Sequence, residues 1–143
     1  MIDRYRVFAT GMLCTAAAAC SLEPLPLPQE AIPTAAEHGA ELFADPALSA
    51  YSFNTLACAT CHETTPGTGG DHLRPGAALA GVVDRASYWG GNEVDLLRAV
   101  NQCLRYFMLQ DEPWTGKEPE AIDLYAFLES LPATDADRAN VPF

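Results

Sequence analysis

The sequence predicts an all-α fold, and two observations carry that expectation. Three stretches, near residues 35–43, 92–107 and 118–131, carry helix-start residues or apolar positions at helical spacing. The segments between them are punctuated by Gly and Pro, which suits turns and connectors. At 143 residues the chain makes one domain at most.

The formal balance is 8 basic against 19 acidic residues, a net charge of −11. Removing Asp3, Arg4 and Arg6 with a leader leaves 6 against 18, or −12. Such a surface argues against nucleic acid and anionic headgroups as partners of the folded part. It leaves two readings open, a basic docking partner and an ordinary solvated acidic face.

The first residues read as an address. Met1 to Arg6 place two arginines ahead of an apolar run from Val7 to Ala19, which closes on Thr15-Ala16-Ala17-Ala18-Ala19-Cys20. A basic start, a short apolar centre and small residues at the end make residues 1–19 a signal peptide. The thirteen residues from Val7 to Ala19 are too few for a bilayer span, which takes about 20. Small residues directly before Cys20 resemble a bacterial lipoprotein signal, although Ala17 stands where leucine is usual there. That resemblance implies lipidation of Cys20 and a membrane anchor, with plain secretion as the alternative. Residues 20–33, with four prolines between Ser21 and Pro33, are expected to form an extended tether. The domain proper is placed at 34–132, and 133–143 is expected to be a flexible tail.

Thr34 suits the cap of a first helix over 35–43, with Glu37 at the capping-box position. Gly39 and Phe43 lie on that helix four residues apart. His38 is expected to face solvent. After Leu42 to Ser49 comes Cys58-Ala59-Thr60-Cys61-His62. Two thiols and an imidazole at this spacing are what covalent haem attachment needs: each cysteine forms a thioether to one vinyl group, and the histidine binds iron. Half of a zinc site is the competing interpretation. It would need about two further ligands, and Cys103 is the only other cysteine beyond residue 20.

With these residues in view, the chain resembles the class I cytochromes c. In that family a Gly/aromatic pair on the first helix meets a Leu-x-x-aromatic pair on the last, here Leu124 and Phe127. The resemblance implies a fold of crossed N- and C-terminal helices around one haem c. It also implies attachment after translocation, and hence a periplasmic protein. The stretch 42–49 resembles the one ahead of the haem motif in bacterial dihaem peroxidases and related thiol oxidoreductases. With a single haem motif, this chain matches half of such a protein at most.

A loop rich in Gly and Thr runs to Asp71 and leads into His72-Leu73-Arg74-Pro75-Gly76-Ala77-Ala78-Leu79-Ala80-Gly81-Val82. This is similar to a Gly-Pro-x-Leu-x-Gly-Val segment of the family, whose proline carbonyl accepts the proton of the proximal histidine. Pro75 is the candidate acceptor, although Leu79 sits two residues later than the pattern places it. Arg74, Arg85, Tyr88 and Trp89 are candidates to hold or bury the haem propionates, because buried carboxylates need donors. Surface charge or core packing would account for each of them equally well.

Gly90-Gly91 turns the chain, and Asn92 with Asp95 three residues later marks the next helix start. Val94, Leu96, Leu97, Val100, Cys103, Leu104 and Phe107 fall mainly in one arc, a stripe that must pack against something apolar. Met108 and Cys103 both compete for the sixth position on iron, ahead of His72 or an open site. Met108 lies 46 residues after His62, where small bacterial cytochromes carry the axial methionine. The segment from Val100 to Met108 resembles a stretch of thiosulfate dehydrogenases in which the cysteine is the ligand, although Phe107 replaces a serine common there. Five helical residues separate the two side chains by about 140°, so a continuous helix would present only one of them.

The last helix is expected from Glu118-Pro119-Glu120 to Leu131, stopped by Pro132. The resemblance covers about residues 35–131. It implies a periplasmic electron carrier with His62 and Met108 on the iron, working with redox protein partners. The alternative is a haem domain of a sulfur-compound oxidoreductase with Cys103 on the iron.

Overall fold

Helix α1, Ala35–Ala44, begins where the sequence places it. The Thr34 hydroxyl accepts from Glu37 N–H, and the Glu37 carboxylate accepts from Thr34 N–H, so two otherwise orphaned donors are satisfied. The computed structural model describes residues 33–67 and 74–139. The signal peptide, Cys20, nearly all of the tether and His72 lie outside the described residues. Among the described residues the fold is all-α, with one isolated bridge between Tyr88 and Glu93 and no named strand.

After α1 the chain makes a 3-10 turn at Pro46–Leu48, capped by Asp45. The short α2, Cys58–Cys61, holds the two motif cysteines. Further 3-10 turns at Val82–Asp84 and Trp89–Gly91 lead to α3, Leu96–Phe107, then α4, Pro119–Ser130, and α5, Asp135–Ala139. Among the described residues no helix is long and apolar enough to cross a membrane.

Helices α1 and α4 form the most extensive helix pair, and Gly39 permits their approach. A Cβ built there would fall on the Asp123 carbonyl and 2.8 Å from Phe127 Cβ. One turn on, the Phe43 and Phe127 rings pack with centroids 5.3 Å apart and tilted by 47°. Such a pair adds about 0.5–1.5 kcal/mol beyond its buried area.

His38 is half-exposed, and its Nδ1 lies 2.6 Å from Asp123 Oδ2, a second tie between α1 and α4. The hydrogen bond to Asp123, aided by its charge and those of Glu41 and Glu120, raises the His38 pKa above 6.5. A raised pKa means that the contribution to stability is full below the unfolded value of about 6.5. It is lost as pH climbs through the folded value. Thermal melts across pH 6 to 9 are therefore expected to show a loss of stability that His38→Gln lacks.

Two expectations change here. The cap of α3 is Asp95, whose carboxylate accepts from Arg98 N–H at 2.9 Å, whereas Asn92 closes the preceding 3-10 turn. The reason is local: Gly90 and Gly91 take positive φ and extend that turn through Asn92. Residues 135–139, expected within a flexible tail, form α5. The Thr134 hydroxyl and Asp137 carboxylate cap it, and Arg138 Nε reaches Asp84 Oδ2 at 2.9 Å.

Candidate functional site

An apolar cavity of about 270 Å³ lies among α1, α2, α3, α4 and the segment 75–89. That is near the lower end of ordinary ligand pockets, roughly 300–1,000 Å³. Phe43, Val82, Leu96, Val100, Leu124 and Leu128 supply much of its wall. Within α3, Leu96, Val100, Cys103, Leu104 and Phe107 face the cavity as expected, whereas Leu97 is not part of its wall. Val94 does not belong to it: it precedes the helix and is exposed.

Cys58, Cys61 and His62 all line this cavity. The turn that presents them is fixed from inside, with His62 N–H donating to the Cys58 carbonyl at 3.0 Å and Ala57 N–H to the Thr60 hydroxyl oxygen at 3.0 Å. Burial, with Cys103 nearby as a smaller cause, pushes the Cys58 thiol up to about 12. Burial pushes Cys103 up to about 11, so both are neutral thiols at ordinary pH.

His62 Nδ1 lies 2.8 Å from the Ala77 carbonyl oxygen. A carbonyl only accepts, so Nδ1 is the donor in this bond, which in a neutral imidazole leaves the lone pair on Nε2. This corrects the assignment of Pro75 as acceptor. Ala77 stands two residues before Leu79, as the proline does in the family pattern, so the two-residue offset at Leu79 marks where the carbonyl falls. Pro75 remains part of the cavity wall. Gly76 N–H donates to the Cys61 carbonyl at 2.8 Å, and a Cβ on Gly76 would lie 2.6 Å from His62 Nδ1. Gly76→Ala is expected to push the imidazole off Ala77 and destabilise the fold by about 1–3 kcal/mol, measured by denaturant unfolding.

Met108 is 3% exposed and also lines the cavity. Its backbone is pinned from the other side of the motif: the buried Ser49 hydroxyl donates to its carbonyl at 2.6 Å. Helix α3 stops at Phe107, and Leu109 takes the left-handed conformation at φ 60. The N–H groups of Met108 and Gln110 then both donate to the Leu104 carbonyl. The 140° argument assumed a continuous helix. Because the helix ends one residue earlier, Cys103 and Met108 both line the same cavity.

No protein-family model, curated protein or solved structure matches this chain.

The remaining candidates divide. Arg85 is 7% exposed and lines the cavity, with Nη2 donating to the Ala78 and Ala80 carbonyls at 2.6 and 2.9 Å and Nε to Asp137 O at 3.3 Å. Arg74 is exposed, is not part of the cavity wall, and donates to the Ala59 carbonyl. Tyr88 and Trp89 both line the cavity, yet their polar hydrogens are committed, the Tyr88 hydroxyl to Val82 O at 2.9 Å and Trp89 Nε1 to Ala99 O at 3.2 Å. Trp89 holds a left-handed φ of 52 and stacks on Phe107 at 6.2 Å. Such a backbone costs of order 1–3 kcal/mol and persists where its surroundings enforce it.

Ser49, Gly76 and Ala77 are the site residues that sequence reasoning missed. Only the displaced Leu79 hinted at any of them. Glu93, a buried carboxylate, was also unmarked; it accepts from Val94 N–H, Asp95 N–H and Gln102 and pairs with Arg98 Nε at 3.1 Å, clasping the start of α3.

Proposed function

We propose that this chain is a periplasmic electron carrier of the class I c-type cytochrome kind, with one haem joined to Cys58 and Cys61 and its iron held by His62 and Met108. The observation that carries the reading is the shared cavity: two motif thiols, an imidazole held through its Nδ1 and a buried thioether line one apolar chamber. Among the described residues no three His, Cys, Asp or Glu side chains are grouped to hold a metal ion. The donors come from α2, from His62 just after it and from the end of α3, an arrangement that suits an extended, covalently anchored ligand.

When bound, such a haem supplies one-electron ferric/ferrous chemistry at a potential tuned by its axial ligands. The chain's own residues do the rest. The Ala77 carbonyl fixes the orientation of the His62 ring. Apolar side chains supply most of the cavity lining, and Arg85 offers the cavity a cation for a propionate. The signal-like start and Cys20 support export and a lipid anchor, with residues 20–33 as the tether. A weak, transient interface suits redox partners, and the acidic balance favours basic ones.

Expression in an exporting host that attaches haem to c-type proteins tests this directly. The expected result is a mass increase of one haem that survives denaturation and is lost in the Cys58→Ser, Cys61→Ser double variant. A wild-type chain without covalent haem overturns the proposal. The second reading, a sulfur-compound oxidoreductase, is favoured by one observation, the presence of Cys103 in the same wall. A thiolate-ligated low-spin spectrum lost in Cys103→Ala would establish it.

A further inference from the structure

Helix α5 meets one residue of the cavity wall, Arg85, through a hydrogen bond. Arg85 lines the cavity, yet its Nε donates out to the carbonyl of Asp137, on the last turn of α5. Cations are favoured there, because the final carbonyls of a helix lack partners. Nη2 is committed to Ala78 and Ala80. Among the described residues Nη1 makes no hydrogen bond, so its two N–H donors remain for a ligand.

The docking of α5 is built at two further points. Gly81 is left-handed at φ 69, and a Cβ there would come within 3.0 Å of Arg138 Cγ and 3.2 Å of Ala133 Cβ. The adjoining Asp84 carboxylate holds Arg138 Nε at 2.9 Å. Segment 81–85 thus grips α5 on both sides of the residue that meets Arg85.

We infer that α5 is a positioning strap: the Asp84–Arg138 pair seats it so that Arg85 is held with its Nη1 donors available to a carboxylate in the cavity. Arg138 and Asp84 are positioning residues that act through Arg85. The carboxylate is a haem propionate, and in that respect the inference rests on the proposed function.

The test uses the full mature chain, with Asp84→Asn and Arg138→Ala made separately. Each breaks the same pair, but one removes a negative and the other a positive charge. If the pair works through Arg85, both variants lower the reduction potential, because a loosened guanidinium compensates the propionate less. A direct field effect would move the potential in opposite directions and overturns the inference.

Exchange of the Arg85 Nε proton, followed by NMR, is expected to quicken about two- to five-fold in both variants, the scale of one exposed ion pair. Thr34→Ala, a helix cap far from Arg85 in sequence, is the control and should leave both readouts in place. In an Arg85→Gln background neither substitution should shift the potential; an unchanged shift there overturns the inference. Arg85 exchange can be read whatever the chain carries. Absent covalent haem therefore marks failure of the functional reading, and unaltered exchange in both variants marks failure of the strap.

Discussion

Gly39→Ala is expected to destabilise the protein by about 3 kcal/mol or more, at the upper end of the range for overpacking. The added methyl has nowhere to go: it would meet the Asp123 carbonyl and Phe127 Cβ, which belong to a helix rather than to a flexible side chain. An exposed helical glycine replaced by alanine would gain up to about 1 kcal/mol from propensity. At Gly39 the steric term outweighs that gain. To make room, α1 must lift away from α4, which loosens the Phe43–Phe127 contact and strains His38 against Asp123. For a domain of about 100 residues this corresponds to a melting temperature lower by roughly 12 °C or more. A melting temperature within a few degrees of wild type would show that the two helices can separate freely.

Gly39 also illustrates what the sequence makes legible. Its spacing to Phe43, the Thr34/Glu37 box, the Cys58–His62 motif and the Glu118-Pro119 start each depend on residues a few positions apart, so the chemistry is written locally. The features that escaped depend on distant partners. The acceptor for His62 is set by how the segment 74–79 lies against α2, and a carbonyl carries no side-chain signature. Just past the end of α3 stands a left-handed Leu109, where nothing in the residue type announces a stop, since glycine or asparagine usually fills that role. Residues 135–139 are too short to be helical by propensity alone. They are held by Asp84 and Arg85, fifty residues away. Apart from the α3 cap, which Gly90 and Gly91 move locally, the corrections fall where tertiary contacts decide, and two of them, the Ala77 acceptor and the shared facing of Cys103 and Met108, fall on the cavity itself.

Met108→Ala is the substitution that decides most about function. Truncating a nearly fully buried methionine leaves a void against the cavity and is expected to cost about 2–5 kcal/mol. That cost alone would follow from packing, so the decisive readout is spectroscopic. In the haem-loaded chain, loss of the far-red methionine-to-ferric-iron band, with carbon monoxide now binding without displacement of a ligand, is expected of Met108→Ala and not of Cys103→Ala. Met108→Leu separates the two effects, because it restores most of the volume without the sulfur. It should recover much of the stability and none of the band. The physical reason to expect methionine lies in how the two sulfurs are presented. Cys103 projects from the body of α3, whereas Met108 sits just past its end, with its carbonyl fixed by Ser49 and its amide by Leu104. A soft neutral donor held on both sides of its backbone resists displacement, and resisting displacement through each change of iron charge is what an electron carrier requires. If instead Cys103→Ala abolishes the low-spin spectrum and Met108→Leu leaves it intact, the cavity is built for sulfur chemistry, and Ser49 merely closes the helix end.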